Sequence, residues 1–328
     1  MITISKVLVP TDFSKGSEFA YRYANDLTKK FGGKVDLLHV IPAFRYLTES
    51  IKQLGLPFDM DKHVYPAMQK DSIAKLKESS TEFLIESVRG TTETIIDRKV
   101  DEAIIERAVE LDYDLILIGA QGANENKLIH GSVTERVIRF STVPVLSVPP
   151  SIPNHPIRKL LIPTDGSEVS MACLPYAVSM LDSLGGELTL FHVLEMYGNE
   201  TENQVLTKSK NELEAVTDIL IEKANFYLNN ASDVKPKVEI VGSLNNYSIE
   251  IHDGDTVRKY PFAVKVVRGV SSHFEIVDYA NDHSDMIIMT THGRSGFSHI
   301  LLGSTAETVA RHSAVPVLTY KPKHLDYY

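Results

Sequence analysis

The chain repeats itself. Val7-Leu8-Val9-Pro10-Thr11-Asp12 returns 153 positions later as Leu160-Leu161-Ile162-Pro163-Thr164-Asp165. Leu37-Leu38-His39-Val40 returns at the same offset as Leu190-Phe191-His192-Val193. Near the end of each half, Gly131-Ser132 is matched by Gly303-Ser304, and Val143-Pro144-Val145-Leu146 by Val315-Pro316-Val317-Leu318. The period is too long for a solenoid, so each copy has to be a whole domain with its own core. The repeat predicts domains at residues 1–150 and 157–328, joined by a Pro-rich stretch, 149–156, suited to a short, stiff linker.

Within each half, apolar runs of strand length alternate with helical patterns. Residues 7–9, 35–40, 94–96, 115–118 and 143–148 read as strands buried on both faces. Phe19, Ala20, Tyr23, Ala24 and Leu27 share one helical face, and Ala172, Cys173, Tyr176, Ala177 and Met180 repeat it. Further helices are expected over 65–88, around Ala103 to Leu111, and over 133–140. Such alternation predicts an α/β fold with parallel sheets. The offset grows from 153 to 171 by the fourth strand, so the second half has gained 18 residues. The gain is placed near 242–262, where Asn245-Asn246 and Asp253-Gly254 are turn signals flanking an alternation of Tyr247, Ile249 and Ile251. This predicts a β-hairpin insert, either a decorated loop or a partner-docking element.

Composition narrows the function classes. The net charge is −9 and there is no block of consecutive basic residues, which argues against binding nucleic acid through its phosphates. A nucleotide held by backbone amides needs no positive charge. One cysteine, Cys173, permits neither an internal disulfide nor a cysteine-based zinc cluster, and a reducing, cytoplasmic setting fits. No apolar run reaches the ~18 residues of a membrane span, and the N-terminus lacks the pattern of a signal peptide.

In an open α/β sheet, ligands bind beyond the carboxyl ends of the strands, where the winding reverses. Three features of each half would meet there: the Asp ending strand one, the glycine-bearing loop after strand four, and the Gly-Ser opening the last helix. Glycines let backbone amides approach a phosphate, and a helix N-terminus favours an anion. On spacing alone these turns are equally read as loop chemistry between a strand and a helix. Asp12 and Asp165 equally suit capping the following helix with Ser14 or Ser167. His39 and His192 read as satisfied core residues, whereas His292 falls in the glycine loop.

Taken together, Val-Pro-Thr-Asp, Leu-His-Val and the glycine loop before Val-Pro-Val-Leu resemble the universal stress protein family, once per half. The resemblance implies two tandem doubly wound, Rossmann-like domains, each a five-stranded parallel sheet of order 3-2-1-4-5 flanked by helices. It implies an adenine nucleotide, ATP, as cofactor; beside its phosphates Asp165 or Asp12 suits bonding a base or ribose hydroxyl, or holding a magnesium ion that bridges to phosphate. Nucleotide-binding members carry Gly, two residues, Gly, nine residues, Gly, then Ser or Thr. The second half keeps Gly293 and Gly303-Ser304 at that spacing but has Thr290 for the first glycine. The first half has Gly119 and Gly122, with eight residues before Gly131-Ser132. Arg294 and Ser295 add phosphate donors that Ala123 and Asn124 cannot supply. The second half is therefore read as the better site: Pro163, Thr164, Asp165 and Val193, with His292, Gly293 and Arg294, and Gly303, Ser304 and Thr305. The weaker site comprises Pro10, Thr11, Asp12 and Val40, with Gly119 and Gly122, and Gly131, Ser132 and Val133.

The chain contains no Gly-x-x-x-x-Gly-Lys-Ser/Thr loop and no set of nucleophile, base and orienter with local signatures, so strong catalysis is not expected. A nucleotide-binding stress-response regulator is the leading reading. A slow magnesium-dependent ATPase and an interaction scaffold without nucleotide are the alternatives, and an unidentified protein partner is expected beside the nucleotide. The resemblance further implies that the final strands, 143–148 and 315–320, pair within one chain as an internal pseudo-dimer, leaving room for further homodimerisation.

Overall fold

The computed structural model describes residues 2–44, 49, 53, 59–120, 131–150, 156–195, 202–230 (202–211 as backbone only), 236–243, 246–291 and 303–322. The chain divides into two units, Ile4–Ile152 and Pro153–Tyr328, with Met1–Thr3 joining the second.

In the first unit the aliphatic runs become parallel strands β1 (Lys6–Pro10), β2 (Lys34–Pro42), β3 (Arg89–Asp97), β4 (Leu115–Gly119) and β5 (Val145–Val148), ordered β3-β2-β1-β4-β5. Their order is the expected 3-2-1-4-5. Helices α1 (Lys15–Phe31), α2 (Tyr65–Phe83), α3 (Val100–Glu110) and α4 (Ser132–Phe140) connect them. Strands β1 and β4 are buried almost throughout, because helices cover both of their faces. The α1 face expected from the sequence is buried at Ala20, Tyr23, Ala24 and Leu27, and Tyr21 is buried beside it. Ser14 caps the helix start and Gly32, at φ 70°, its end.

Helix α2 stops at Phe83, short of the expected 88. Leu84 and Val88 continue an apolar pattern, but the Arg89 guanidinium donates to the carbonyls of Ser80, Thr81 and Leu84. Those last-turn acceptors are thereby satisfied without further helix. Strand β5 begins at Val145 rather than Val143, since the Ser141 hydroxyl ties Val143 into a local turn.

The second unit contains β6 (Lys159–Pro163), β7 (Glu187–Glu195), β8 (Lys237–Ser243), β9 (Asn246–Asp253), β10 (Thr256–Gly269), β11 (Met286–Thr290) and β12 (Val317–Tyr320). Their order is β12-β11-β6-β7-β10-β9-β8, so the core five repeat 3-2-1-4-5 with β10 as third strand. The helices are α5 (Glu168–Met171), α6 (Leu174–Leu184), α7 (Glu202–Asn230), α8 (Ser272–His283) and α9 (Ser304–His312). Where the first unit has one continuous α1, the second has α5 and α6. Pro175, in the first turn of α6, lacks the N–H that would continue the ladder.

The insert is an antiparallel hairpin, β8–β9, laid onto an extended β10. It covers 237–253, and residues 256–262 of β10 pair antiparallel with β9 in turn, so that the Asp253-Gly254 turn closes a second hairpin. The Asp253-Gly254 turn is as predicted, with Gly254 at φ 59°. Pro261 has no N–H to give, and it sits just before β10 enters register with β7 at Phe262–Leu188. Asp182 at the end of α6 fastens the first part of β10: Arg258 Nε donates to it at 2.6 Å and the Tyr260 hydroxyl at 2.9 Å. Among the described residues no helix is long and apolar enough to cross a membrane.

Candidate functional site

The carboxyl ends of the central strands are tied together by the same bonds in both units. The Thr11 N–H donates to the Leu38 carbonyl at 2.9 Å, and Thr164 to Phe191 at 2.8 Å. His39 Nδ1 donates to the Thr11 carbonyl at 2.7 Å, and His192 Nδ1 to the Thr164 carbonyl at 2.7 Å. A carbonyl only accepts, so Nδ1 carries the proton in each ring. Each histidine thus holds the end of strand two against the end of strand one, in keeping with a satisfied structural role. Pro10 and Pro163 end their strands, and Val40 and Val193 lie next to the two histidines.

Beyond the strands, the two Pro-Thr-Asp turns are built alike. The buried Thr11 hydroxyl accepts from the Phe13 N–H at 2.9 Å, as Thr164 accepts from Gly166 at 3.0 Å. The same hydroxyls bond onward to the Tyr21 hydroxyl and to Ser170 Oγ. Burial pushes the Tyr21 phenol up, so it remains a neutral partner. Asp12 Oδ1 accepts from the Ser14 amide at 3.0 Å and from Ser17 Oγ at 2.8 Å; Asp165 Oδ1 accepts from the Ser167 amide at 2.9 Å and its hydroxyl at 2.5 Å. Ser14 and Ser167 are the true N-caps, and each Asp orients its serine. In this way one carboxylate oxygen of each Asp serves the turn. Phe13 at φ 62° and Gly166 at φ 75° share the left-handed bend, where the Phe13 ring packs tilted against His39 with centroids 4.5 Å apart. In the second unit Lys223 Nζ donates to the Gly166 carbonyl at 2.7 Å.

The loops after strand four close on equivalent bonds. The Gly131 N–H donates to the Ala120 carbonyl at 3.1 Å, and Gly303 to Thr291 at 2.8 Å. The one-residue difference in spacing therefore falls inside the loops, and their bases match. Gly122, His292, Gly293 and Arg294 lie outside the described residues, as do Ala123, Asn124 and Ser295. Gly131 and Gly303 are N-caps with φ/ψ of −58/141° and −62/138°, and neither offers a side-chain cap. Ser132, Val133, Ser304 and Thr305 then supply first-turn amides that have no carbonyl one turn back. An acid also sits in each first turn, Glu135 or Glu307, and is paired with Arg139 at 3.2 Å or Arg311 at 2.9 Å, which offsets its repulsion of an anion.

Gly119 is needed for packing. A Cβ there would lie 2.7 Å from the Gly16 carbonyl oxygen at the start of α1. Thr290 takes this place in the second unit, buried, where Val169 stands for Gly16 and the helix start is broken into α5 and α6. The first glycine is therefore explained by helix seating, and Thr290 by the altered helix start.

Two residues of the strand framework escaped sequence reasoning. Asp114 Oδ2 accepts from the Ser5 and Lys6 amides at 2.8 and 2.9 Å, and Asp285 Oδ2 from Arg158 and Lys159 at 2.7 and 2.8 Å. They clamp strand one to strand four at the end opposite the site. The signal was present, since the two aspartates stand at the repeat offset of 171. Cys173 is fully buried and its thiol is pushed up to about 12 by burial, so it is no nucleophile. Among the described residues no group of three His, Cys, Asp or Glu is placed to hold a metal ion.

The family model described as Universal stress protein family matches residues 3–149 and again 156–321. Universal stress protein Slr1230 of Synechocystis sp. is 23% identical over 335 residues, covering 97% of this chain and 100% of the relative. Universal stress protein MJ0577 of Methanocaldococcus jannaschii is 30% identical over 182 residues, covering 51% of this chain and 96% of the relative. Among solved structures, a universal stress protein from Archaeoglobus fulgidus covers 98% of this chain and 99% of its own, with a TM-score of 0.57 at 21% identity. At that identity the likeness speaks for the fold.

Proposed function

Since the chain belongs to the universal stress protein family, twice over, we propose that it binds an adenine nucleotide, ATP, at the strand ends and acts as a stress-response regulator without strong catalysis. The observation that carries the reading is the paired helix start at Gly131 and Gly303. Each is a glycine N-cap without a side-chain cap, held by the base of the glycine loop and facing the same end of the sheet as the Pro-Thr-Asp turn. Oriented first-turn amides and the helix dipole suit phosphate oxygens. A carboxylate beside phosphate is repelled unless it meets a sugar hydroxyl, a base donor or a cation. Asp165, held at the turn by Ser167, fits either a nucleoside contact or a magnesium ion supplied with the phosphates. Magnesium would neutralise phosphate charge there; the chain's own groups bind and orient.

The second unit is favoured, since its glycine loop carries Arg294, a residue type suited to phosphate, and Lys223 donates to the Gly166 carbonyl beside its Pro-Thr-Asp turn. The test is a calorimetric titration of nucleotide-free protein with magnesium-ATP. One site per chain is expected, lost in Gly303→Val and kept in Gly131→Val. Absence of binding, by heat and by an independent equilibrium assay, would replace this reading by the scaffold. We further propose that the fifth strands of the two units, β5 and β12, pair within one chain and take the place of a homodimer contact.

A further inference from the structure

Strand β8 ends the sheet of the second unit: β9 pairs with one side of it, and among the described residues no strand pairs with the other. Such an edge normally presents free N–H and C=O groups to any extended chain. At the middle of β8 those groups are taken. The Asn225 side chain, from α7, accepts from the Ile240 N–H through Oδ1 at 2.8 Å and donates to the Ile240 carbonyl through Nδ2 at 3.1 Å. An N–H carries one proton, so Ile240 cannot also bond to β9, and its backbone faces outward. By the alternation of an antiparallel pair, Val238 and Gly242 face outward as well. One amide side chain therefore imitates the pairing of a further strand at the centre of a seven-residue edge.

We propose that Asn225 holds the β8 edge closed, and that the partner it excludes is the β8 edge of a second copy of this chain. Charge on the strand selects that partner. Lys237 and Glu239, ion-paired with each other along the strand at 2.5 Å, stand on the face turned from the buried Val238 and Ile240, so that pairing with a second copy exchanges this contact for the same one across the edge. Antiparallel pairing of two such edges about Val238 sets Lys237 opposite Glu239 of the partner subunit, and the two-fold symmetry makes the contact twice. At the other end Gly242, at φ 125°, turns the strand away and limits the pairing to this region. The insert is thereby a closed docking element, opened by withdrawal of one side chain.

The experiment is sedimentation velocity on the full chain across a concentration series. Asn225→Ala is expected to self-associate at least tenfold more tightly than wild type, with a faster-exchanging Ile240 amide at concentrations where it stays dissociated. Adding Glu239→Lys sets like charges opposite and should abolish the gain; adding Lys237→Glu to that double variant should restore it. Asn225→Asp, which keeps the acceptor and loses the donor, serves if the alanine variant does not fold, and should show a smaller gain. A folded Asn225→Ala protein, or its Asp substitute, with wild-type mass throughout overturns the proposal, as does a gain indifferent to the two charge changes.

Discussion

Gly119 and Thr290 occupy one position of the repeat and follow different packing demands. In the first unit a Cβ would meet the Gly16 carbonyl at 2.7 Å, and backbone cannot yield as a side-chain tip can. Gly119→Thr is therefore expected to destabilise the first unit by about 1–3 kcal/mol through overpacking. Thr290→Gly relieves no such clash and should destabilise the second unit as well, through lost side-chain burial and glycine's extra freedom in the unfolded chain. Urea denaturation checks the first variant; a Gly119→Thr protein as stable as wild type would show that the Gly16 contact is not the cause. The residue types at this site were legible because Pro-Thr-Asp and Gly-Ser stand at fixed places in both halves. Their partners were not. The Gly16 carbonyl lies 103 positions from Gly119 in sequence, and no local pattern announces such a contact. The same holds for Asp114, whose two amide partners lie over a hundred residues earlier.

At the scale of elements, strands were legible wherever both faces are buried, since aliphatic runs such as Leu115–Gly119 leave no other use for the side chains. Ends were harder, because they are set by capping rather than by apolar pattern. Arg89 ends α2 from outside it, and Pro175 divides a helix whose apolar face continues across the break. Buried Ile249 and Ile251 disclosed β9, but β8 was hidden, since its neighbour in the sheet comes later in the chain and its turn residues flank a shorter run. Within its own unit, β5 pairs only with β4 and β12 only with β11, among the described residues. If β5 and β12 pair within the chain as proposed, the outward amides of Val145–Val148 and Val317–Tyr320 should exchange slowly at dilutions where the protein is monomeric. Exchange at the rate of an open strand edge would reject the pairing.

For the molecule as a whole, the duplication was the most legible property, because the same motifs return in the same order in three separate segments, two at an offset of 153 and the last at 172. Its ionisable interior was not legible, and it sets the pH response. Burial raises the phenols of Tyr21, Tyr113, Tyr227, Tyr260 and Tyr279, with Tyr227 pushed to about 12, and raises the Cys173 thiol to about 12. The ordinary values are 10.0 for tyrosine and 9.0 for cysteine. Between those values and the raised ones, the unfolded chain has released protons that the folded chain still holds. Stability then falls as pH rises, because the unfolded state binds fewer protons. Melting temperature should thus be insensitive to these groups below about pH 9 and decline steadily toward pH 12. Cys173 titrates first in the unfolded chain, so Cys173→Ala should shift the onset of the decline toward about pH 10 while leaving the later slope to the tyrosines. Melting curves taken through this range on both proteins decide it. An unchanged onset would mean that the thiol does not contribute, and a melting temperature that stays level to pH 12 would mean that the buried phenols ionise without unfolding.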